Sequence, residues 1–245
     1  MLTRFRNRHE AGQALATALM PIRRERPVVV ALPRSGVPVA AVIAQALQAP
    51  LDIVVTLKLA PPGDPDLAVG ALAEGGASYI DPTAVGVLGI SHEDLSQLAE
   101  AEAVELRRRV RTLRGERPPL DVEGRTVILV DDGIARGASV RAALRSLRQR
   151  RPRRIVVAAP VIAPDTLHEL REECDQVVCL SSPKLFGAVG FWYQDFTRVT
   201  DEEALALLER ARGQPASPPE PQAGPAPPEG PVEMEWDPWI ERRLS

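Results

Sequence analysis

The sequence predicts an α/β fold built on a parallel β-sheet flanked by helices. Two observations predict it. Short apolar runs alternate with stretches of helical length and pattern from residue 9 to residue 211. The runs are apolar throughout instead of alternating, as strands covered on both faces are. A third observation bounds the fold: with 245 residues, 44% hydrophobic and 26% charged, the chain suits one globular domain with an appendage.

The elements follow in order. Residues 9–20 place Ala11, Leu15, Ala18 and Leu19 on one helical face. Residues 27–32 form a short, wholly apolar strand. Residues 35–47, rich in Ala and Val, read as a helix opening after a loop with Pro33 and Gly36. Residues 51–57 read as another buried-type strand, with Lys58 at its end. Residues 60–65 are turn-rich, 67–74 return to apolar character before Gly75-Gly76, and 79–88 are weakly patterned. One long helix covers 91–113. Ser91 with Asp94 makes a capping-box-like start, and Gly115 and Pro118 mark the stop. Its Arg107-Arg108-Arg109 run, with Arg111 and Arg114, reads as a solvated face near a helix C-terminus, where cations are favoured. The alternative is a partner-binding patch. Strand 126–130, helix 140–149, strand 154–161, helix 165–173 and strand 176–180 follow. A last helix covers 201–211, with Thr200 as its candidate cap.

Beyond Arg212 the composition changes. Eight prolines between Pro215 and Pro231 stand among Ala, Glu, Gln and Gly, the composition of an extended, disordered linker. It leads to Met234-Glu235-Trp236-Asp237-Pro238-Trp239-Ile240, which holds two of the three tryptophans. Such a peptide suits docking onto a protein partner or back onto the domain; the bland reading is a frayed tail. The expected division is therefore a domain over 1–212 and a linker with an aromatic tail over 213–245.

Bulk properties exclude several classes. A net charge of -3 argues against a broad nucleic-acid-binding face. Cys174 and Cys179 lack a second pair and His partners, so a zinc site is not expected, and reduced thiols in a cytoplasmic protein are. Residues 1–8 have no apolar core of signal-peptide length, and no run approaches about 20 apolar residues. A soluble protein, neither secreted nor membrane-bound, is the expectation.

The chemistry concentrates in Thr126-Val127-Ile128-Leu129-Val130-Asp131-Asp132-Gly133-Ile134-Ala135-Arg136-Gly137-Ala138-Ser139. An apolar strand stops on two carboxylates, a loop with two glycines follows, and a helix begins. Adjacent carboxylates can accept hydrogen bonds from neighbouring hydroxyls. Loop N–H groups at a helix N-terminus can hold a phosphate. A phosphorylated ribose presents both. A metal-binding carboxylate of a phosphate-loop ATPase would need a Gly-x-x-x-x-Gly-Lys-Ser/Thr loop, which is absent. A phospho-acceptor receiver domain would place the acids after its first strand, not after more than a hundred residues. An ordinary Asp-Gly turn does not explain Gly137 and Ser139 at a helix start. Ligands of parallel sheets bind at the C-terminal strand edge. Asp131 and Asp132 are expected there, with Pro33-Arg34-Ser35-Gly36 after the first strand and Lys58 after the second.

Residues 127–139 resemble the ribose-5-phosphate signature of type I phosphoribosyltransferases. Ala31-Leu32-Pro33-Arg34-Ser35-Gly36-Val37-Pro38 is similar to that family's pyrophosphate loop. Residues 57–71 resemble the mobile loop of a little-characterised bacterial branch, and Phe186-Gly187-Ala188-Val189-Gly190-Phe191-Trp192-Tyr193-Gln194-Asp195-Phe196 resembles its C-terminal hood segment. The resemblance covers roughly residues 2–211. It implies a small hood from the N-terminal segment and about 181–200.

By that resemblance, phosphoribosyl pyrophosphate (PRPP) and Mg²⁺ bind above the sheet, and a nitrogen nucleophile displaces pyrophosphate from ribose C1. Asp131 and Asp132 would accept from the ribose hydroxyls and touch the metal indirectly through them; such charge-assisted bonds are worth about 1.5–3 kcal/mol each. Ala135, Arg136, Gly137, Ala138 and Ser139 would hold the 5-phosphate. Arg34, Ser35 and Gly36 would hold pyrophosphate, in a loop where relatives often carry a non-proline cis peptide. Lys58 would meet the leaving pyrophosphate or is a solvated strand-end lysine. Phe191, Trp192 and Tyr193 would stack on a base or pack a small core. Asp195 would help a second Mg²⁺. Two departures matter: Arg136 stands where relatives often have Thr, and Ala135 where purine-salvage relatives keep an acid proposed as base. The implied function is phosphoribosyl transfer to a nitrogenous base; the alternative is a non-catalytic PRPP-sensing regulator. Relatives commonly dimerise.

Overall fold

The computed structural model describes residues 4–61 and 68–212. In chain order its elements are α1 (Arg8–Leu19), β1 (Val28–Ala31), α2 (Gly36–Leu47), β2 (Leu51–Ile53), β3 (Thr56–Leu59), β4 (Gly70–Ala73), β5 (Ser78–Ile80), α3 (Pro82–Leu88), α4 (His92–Arg114), β6 (Thr126–Val130), α5 (Ala138–Gln149), β7 (Arg154–Val161), α6 (Pro164–Glu173), β8 (Gln176–Ser181) and α7 (Asp201–Arg212). They form two compact units. The described residues of the first come from Met1–Ile53, Pro119–Gly137 and Arg150–Pro225, those of the second from Val54–Pro118 and Ala138–Gln149. The Pro-rich linker, the peptide with Trp236 and Trp239, and residues 62–67 lie outside the described residues.

The first unit holds a five-stranded sheet in the order β2-β1-β6-β7-β8, parallel at every pairing. β1 and β6 are buried at every position, which is why their sequences are apolar without alternation. They are neighbours, with Ala31 opposite Val130, so the loops that follow them leave the sheet at the same edge. α1 buries Ala11, Leu15, Ala16 and Leu19. Ala18, expected on that face, is exposed, because Ala16 follows Gly12 onto the buried side. α1 packs on α2 closely enough that a Cβ on Gly12 would lie 2.9 Å from Val42 Cβ. α7 starts with a reciprocal cap: Thr200 N–H donates to Glu203 Oε2 at 2.9 Å, and Glu203 N–H to Thr200 Oγ1 at 3.2 Å.

The second unit is an antiparallel sheet in the order β3-β4-β5, with α4 and α5 packed on it. All four residues of β4 are buried, so both its faces are covered. Ser91 caps α4, its Oγ accepting from Asp94 N–H at 3.1 Å, and Gly115 ends it with φ at 63°. The arginine row of α4 is divided. Arg108 and Arg109 pair with Glu105 on the surface, whereas Arg114 is buried against Glu74.

One strand reading is corrected here. Residues 51–57 are not a single strand: the chain leaves the parallel sheet after Ile53, and β3 starts at Thr56 in the other unit. Val54 and Val55 keep the run apolar, because both are themselves buried. Lys58 is therefore an exposed residue of β3, opposite Ala71, and not the tip of a parallel strand. Two strand ends, not three, meet at the rim of the first unit. The weakly patterned 79–88 stretch holds the end of β5 and the short helix α3.

Candidate active site

The site is built from the first unit where β6 ends. Asp131 N–H continues the ladder by donating to Ala158 O at 3.2 Å, and Asp131 Oδ1 accepts from Asp132 N–H at 2.9 Å. The two acids then part. Asp131 is half-buried at the rim, while Asp132 is 4% exposed.

Asp132 is held from three sides. The Arg8 guanidinium, at the first residue of α1, donates from Nε to Asp132 Oδ2 at 2.8 Å. Arg8 NH1 donates to Thr197 O at 2.8 Å, and its guanidinium carbon lies 4.0 Å from the Phe196 ring centroid. The Ser35 hydroxyl bonds to the Asp132 carboxylate. Tyr193 OH donates to the Asp132 carbonyl at 2.6 Å. Burial pushes the Asp132 carboxyl up, and Arg8, Ser35 and Asp131 pull it back. Burial, and then the Asp132 charge, push the Tyr193 phenol up, which keeps it a neutral donor. Asp132 is thus engaged inside the protein, since a buried carboxylate needs a partner, while Asp131 stands at the rim.

The loop after β1 lies against these acids. Its Pro33–Arg34 peptide bond is cis. Leu32 N–H donates to Val130 O at 2.9 Å, tying the loop to the end of β6. A Cβ on Gly36 would stand 2.8 Å from Val130 O and 3.1 Å from Asp131 Cα, so only glycine allows this approach. Arg34 is half-buried, and its NH1 lies 3.5 Å from Asp201 Oδ1 in the first turn of α7.

The loop after the acids is pinned by the end of β7 and by α6. Ile134 N–H donates to Val161 O at 2.9 Å, Ala163 N–H to Ile134 O at 2.9 Å, and Thr166 Oγ1 to Ala135 O at 2.5 Å. Ala135 and Arg136 are exposed, and Gly137 turns the chain with φ at 77°. Ala138 and Ser139 open α5, which belongs to the second unit, as does Lys58.

The aromatic cluster divides as well. Trp192 and Tyr193 are 6% and 1% exposed and form a core with Ala11, Val161 and Phe186. Trp192 Nε1 donates to Phe186 O at 2.9 Å. Of the three aromatics expected to stack on a base, these two take the packing alternative, and Phe191 alone is open, at 65%. It lines a groove of about 710 Å³ together with Arg4, Lys184 and Leu185. The N-terminal segment joins this region: Phe5 N–H donates to Trp192 O at 2.9 Å, and Gln194 N–H to Phe5 O at 2.8 Å. Asp195 is exposed, with Oδ1 accepting from Thr197 N–H and Oγ1, which holds its carboxyl below the usual range.

Sequence reasoning missed Arg8 and the Tyr193 hydroxyl. The sequence carries no signal for Arg8, which precedes the helix expected over 9–20.

The model of the phosphoribosyl transferase domain matches residues 4–194. The chain belongs to the phosphoribosyl transferase family. Two curated proteins, from Mycobacterium tuberculosis strains H37Rv and CDC 1551, carry the provisional name of phosphoribosyl transferase. Each is 38% identical over 207 residues, which is 84% of this chain and 47% of the relative. The chain thus spans about half the length of these relatives. A crystal structure of TT1426 from Thermus thermophilus is 44% identical, with a TM-score of 0.72, covering 85% of this chain and 99% of TT1426. The fold is that of a type I phosphoribosyltransferase, and the family is one of transferase enzymes. Among the described residues no helix is long and apolar enough to cross a membrane.

Proposed function

We propose that this chain transfers the phosphoribosyl group of PRPP to a nitrogenous acceptor and releases pyrophosphate. The observation that carries this reading is the meeting of two loops at one sheet edge. The acids after β6 lie against the glycine-bearing loop after β1, with Ser35 bonded to Asp132. In this reading Asp131 accepts from the ribose hydroxyls. N–H groups of the loop at 34–36, with Arg34, hold pyrophosphate, and those of 135–139 hold the 5-phosphate. The acceptor nitrogen attacks C1, and the bond from C1 to the pyrophosphate oxygen breaks with its electron pair leaving on pyrophosphate. Negative charge at the β6 tip offsets the positive charge that develops on the sugar. Ala135 offers no base, so the acceptor's proton passes to solvent or the acceptor is already nucleophilic. Phe191 is the open aromatic for a flat base.

Mg²⁺ fits as an ion carried by PRPP. Among the described residues no three His, Cys, Asp or Glu side chains are grouped to hold a metal by themselves. In this reading Asp131 would reach it through the ribose hydroxyls. The ion supplies charge neutralisation to the departing pyrophosphate. A cytoplasmic location and residues 1–212 as the acting domain belong to the same reading.

Isothermal titration with PRPP and Mg²⁺, followed by a pyrophosphate-release assay across a panel of bases, tests it. Heat of binding and base-dependent release are expected; no heat at millimolar PRPP defeats it. A second reading, a PRPP-sensing regulator acting through a partner of the 232–245 tail, is favoured by Ala135 and by the engagement of Asp132 with Arg8. It predicts binding without release on any base, and loss of a partner in pull-downs when the residues after 212 are removed.

A further inference from the structure

Arg8 has no place in the family motifs quoted above, and its position in α1 is electrostatically costly. As the first residue of the helix it sets a cation beside the positive end of the dipole. Its side chain is nonetheless 9% exposed, whereas arginine is rarely buried without strong partners. The guanidinium is engaged through two of its nitrogens and through its face. Nε takes the Asp132 carboxylate, NH1 takes the Thr197 carbonyl, and the plane sits over Phe196. A single side chain thus joins α1, the segment around 193–197 and the tip of β6. Tyr193 adds a second tie from the same segment to the same residue, through the Asp132 carbonyl. Asp131 is the next residue along the chain, and its Oδ1 is bonded to the Asp132 N–H. Fixing Asp132 by its carboxylate, its carbonyl and its N–H therefore fixes where Asp131 stands.

We propose that Arg8 is a positioning residue of the ribose site: by clamping Asp132 it holds Asp131 at the strand tip as the acceptor of the ribose diol. This rests on the phosphoribosyl reading. It assigns the two acids different work, with Asp131 meeting the sugar and Asp132 anchoring the tip. Arg8 acts through Asp132 and touches no substrate.

The test uses the full chain with two probes, ribose 5-phosphate and inorganic pyrophosphate, each titrated calorimetrically. The variants are Arg8→Met, Arg8→Lys, Asp132→Asn and the double Arg8→Met/Asp132→Asn. Arg8→Met is expected to weaken ribose 5-phosphate by about tenfold or more and to leave pyrophosphate, held by the other loop, within about twofold. Arg8→Lys keeps the charge but loses the fork, so it should fall between wild type and Arg8→Met. The double variant should bind no worse than the weaker single one, because both changes break the same clamp. Should Arg8→Met fail to fold, Phe196→Leu removes the ring under the guanidinium and should weaken ribose 5-phosphate selectively, to a lesser degree. Unchanged ribose 5-phosphate affinity in a folded Arg8→Met protein overturns the proposal. So do equal losses on both probes, which would mean general loosening, and a gain in affinity, which would make Arg8 a competitor for the site. If the wild-type chain binds neither ribose 5-phosphate nor PRPP, the phosphoribosyl reading itself fails. If it binds and Arg8→Met binds equally well, only the role of Arg8 fails.

Discussion

In each unit of this molecule an arginine is buried against a carboxylate, and the two pairs differ in what accounts for them. In the second unit Arg114 NH2 lies 2.7 Å from Glu74 Oε1, with side chains 5% and 10% exposed. In the first, Arg8 Nε lies 2.8 Å from Asp132 Oδ2, with side chains 9% and 6% exposed. Arg114 is the last residue of α4, where a cation is favoured. Glu74 follows β4; its Oε2 accepts from Val55 N–H, and its carbonyl accepts from Ser146 Oγ. That pair stitches α4, α5 and two strands together, and the fold is its sufficient reason. Arg8 stands at the wrong end of its helix, and its partner lies in the loop after β6, where we propose the ribose binds. Burying a pair of ions is costly in either place. Where packing does not account for that cost, function is the remaining explanation.

The largest effect should come from the structural pair. Arg114→Met leaves the Glu74 carboxylate buried without this counter-ion and should cost about 3–5 kcal/mol of stability, read by urea unfolding at unchanged m-value. Any molecules still folded should bind ribose 5-phosphate as tightly as wild type does. A loss below about 1 kcal/mol would erase the contrast between the pairs. Next in size, Gly36→Ala alters neither ion pair but forces the loop away from β6. A methyl group 2.8 Å from Val130 O should cost about 1–3 kcal/mol by overpacking, and ribose 5-phosphate binding should fall with it. Retained binding would show that close approach of the two loops is dispensable and that the clamp alone sets the site.

The same contrast explains what was legible beforehand. Val28–Ala31, Thr126–Val130 and Arg154–Val161 announced themselves because strands buried on both faces must be apolar throughout. The acids and glycines after β6 were legible for the opposite reason, as polar residues where an apolar run stops. The change of sheet between Ile53 and Thr56 was not, because Val54 and Val55 are as buried as the strands they join. β5 and α3, at 3 and 7 residues, are too short to show a period. Trp192 and Tyr193 could be read as stacking or packing residues, and only their burial decides. Arg8 was invisible for a deeper reason. Its partner is 124 residues away, and nothing in the pattern of α1 distinguishes an arginine that turns inward from one that faces water.

A smaller effect sharpens the ligand side of the comparison. Tyr193→Phe deletes the hydrogen bond to the Asp132 carbonyl and leaves the ring in its core. The cost should be about 0.5–1.5 kcal/mol by thermal or urea unfolding. Ribose 5-phosphate affinity should drop by a few-fold at most, less than in Arg8→Met, because the carboxylate end of the clamp remains. A larger loss than in Arg8→Met would move the positioning role from the guanidinium to the phenol.

The smallest effect sets the surface limit against which both buried pairs are measured. Glu105 receives Arg108 and Arg109 at 2.7 and 2.8 Å on the exposed side of α4. These hydrogen bonds hold its carboxyl well down, from 4.5 to about 2. A depressed carboxyl contributes stability that is present above its unfolded value and is lost as pH falls through the folded one. The advantage of wild type over Glu105→Gln should therefore be fully present at pH 7 and shrink between pH 4.5 and about 2. Solvent screening keeps it small: the difference in melting temperature at pH 7 should be about one degree or less, and 0.5 M salt should shrink it further. The penalty of Arg114→Met, set by desolvation, should survive that salt. If the two penalties faded together, burial would not be what separates the pairs of this protein from its surface charges.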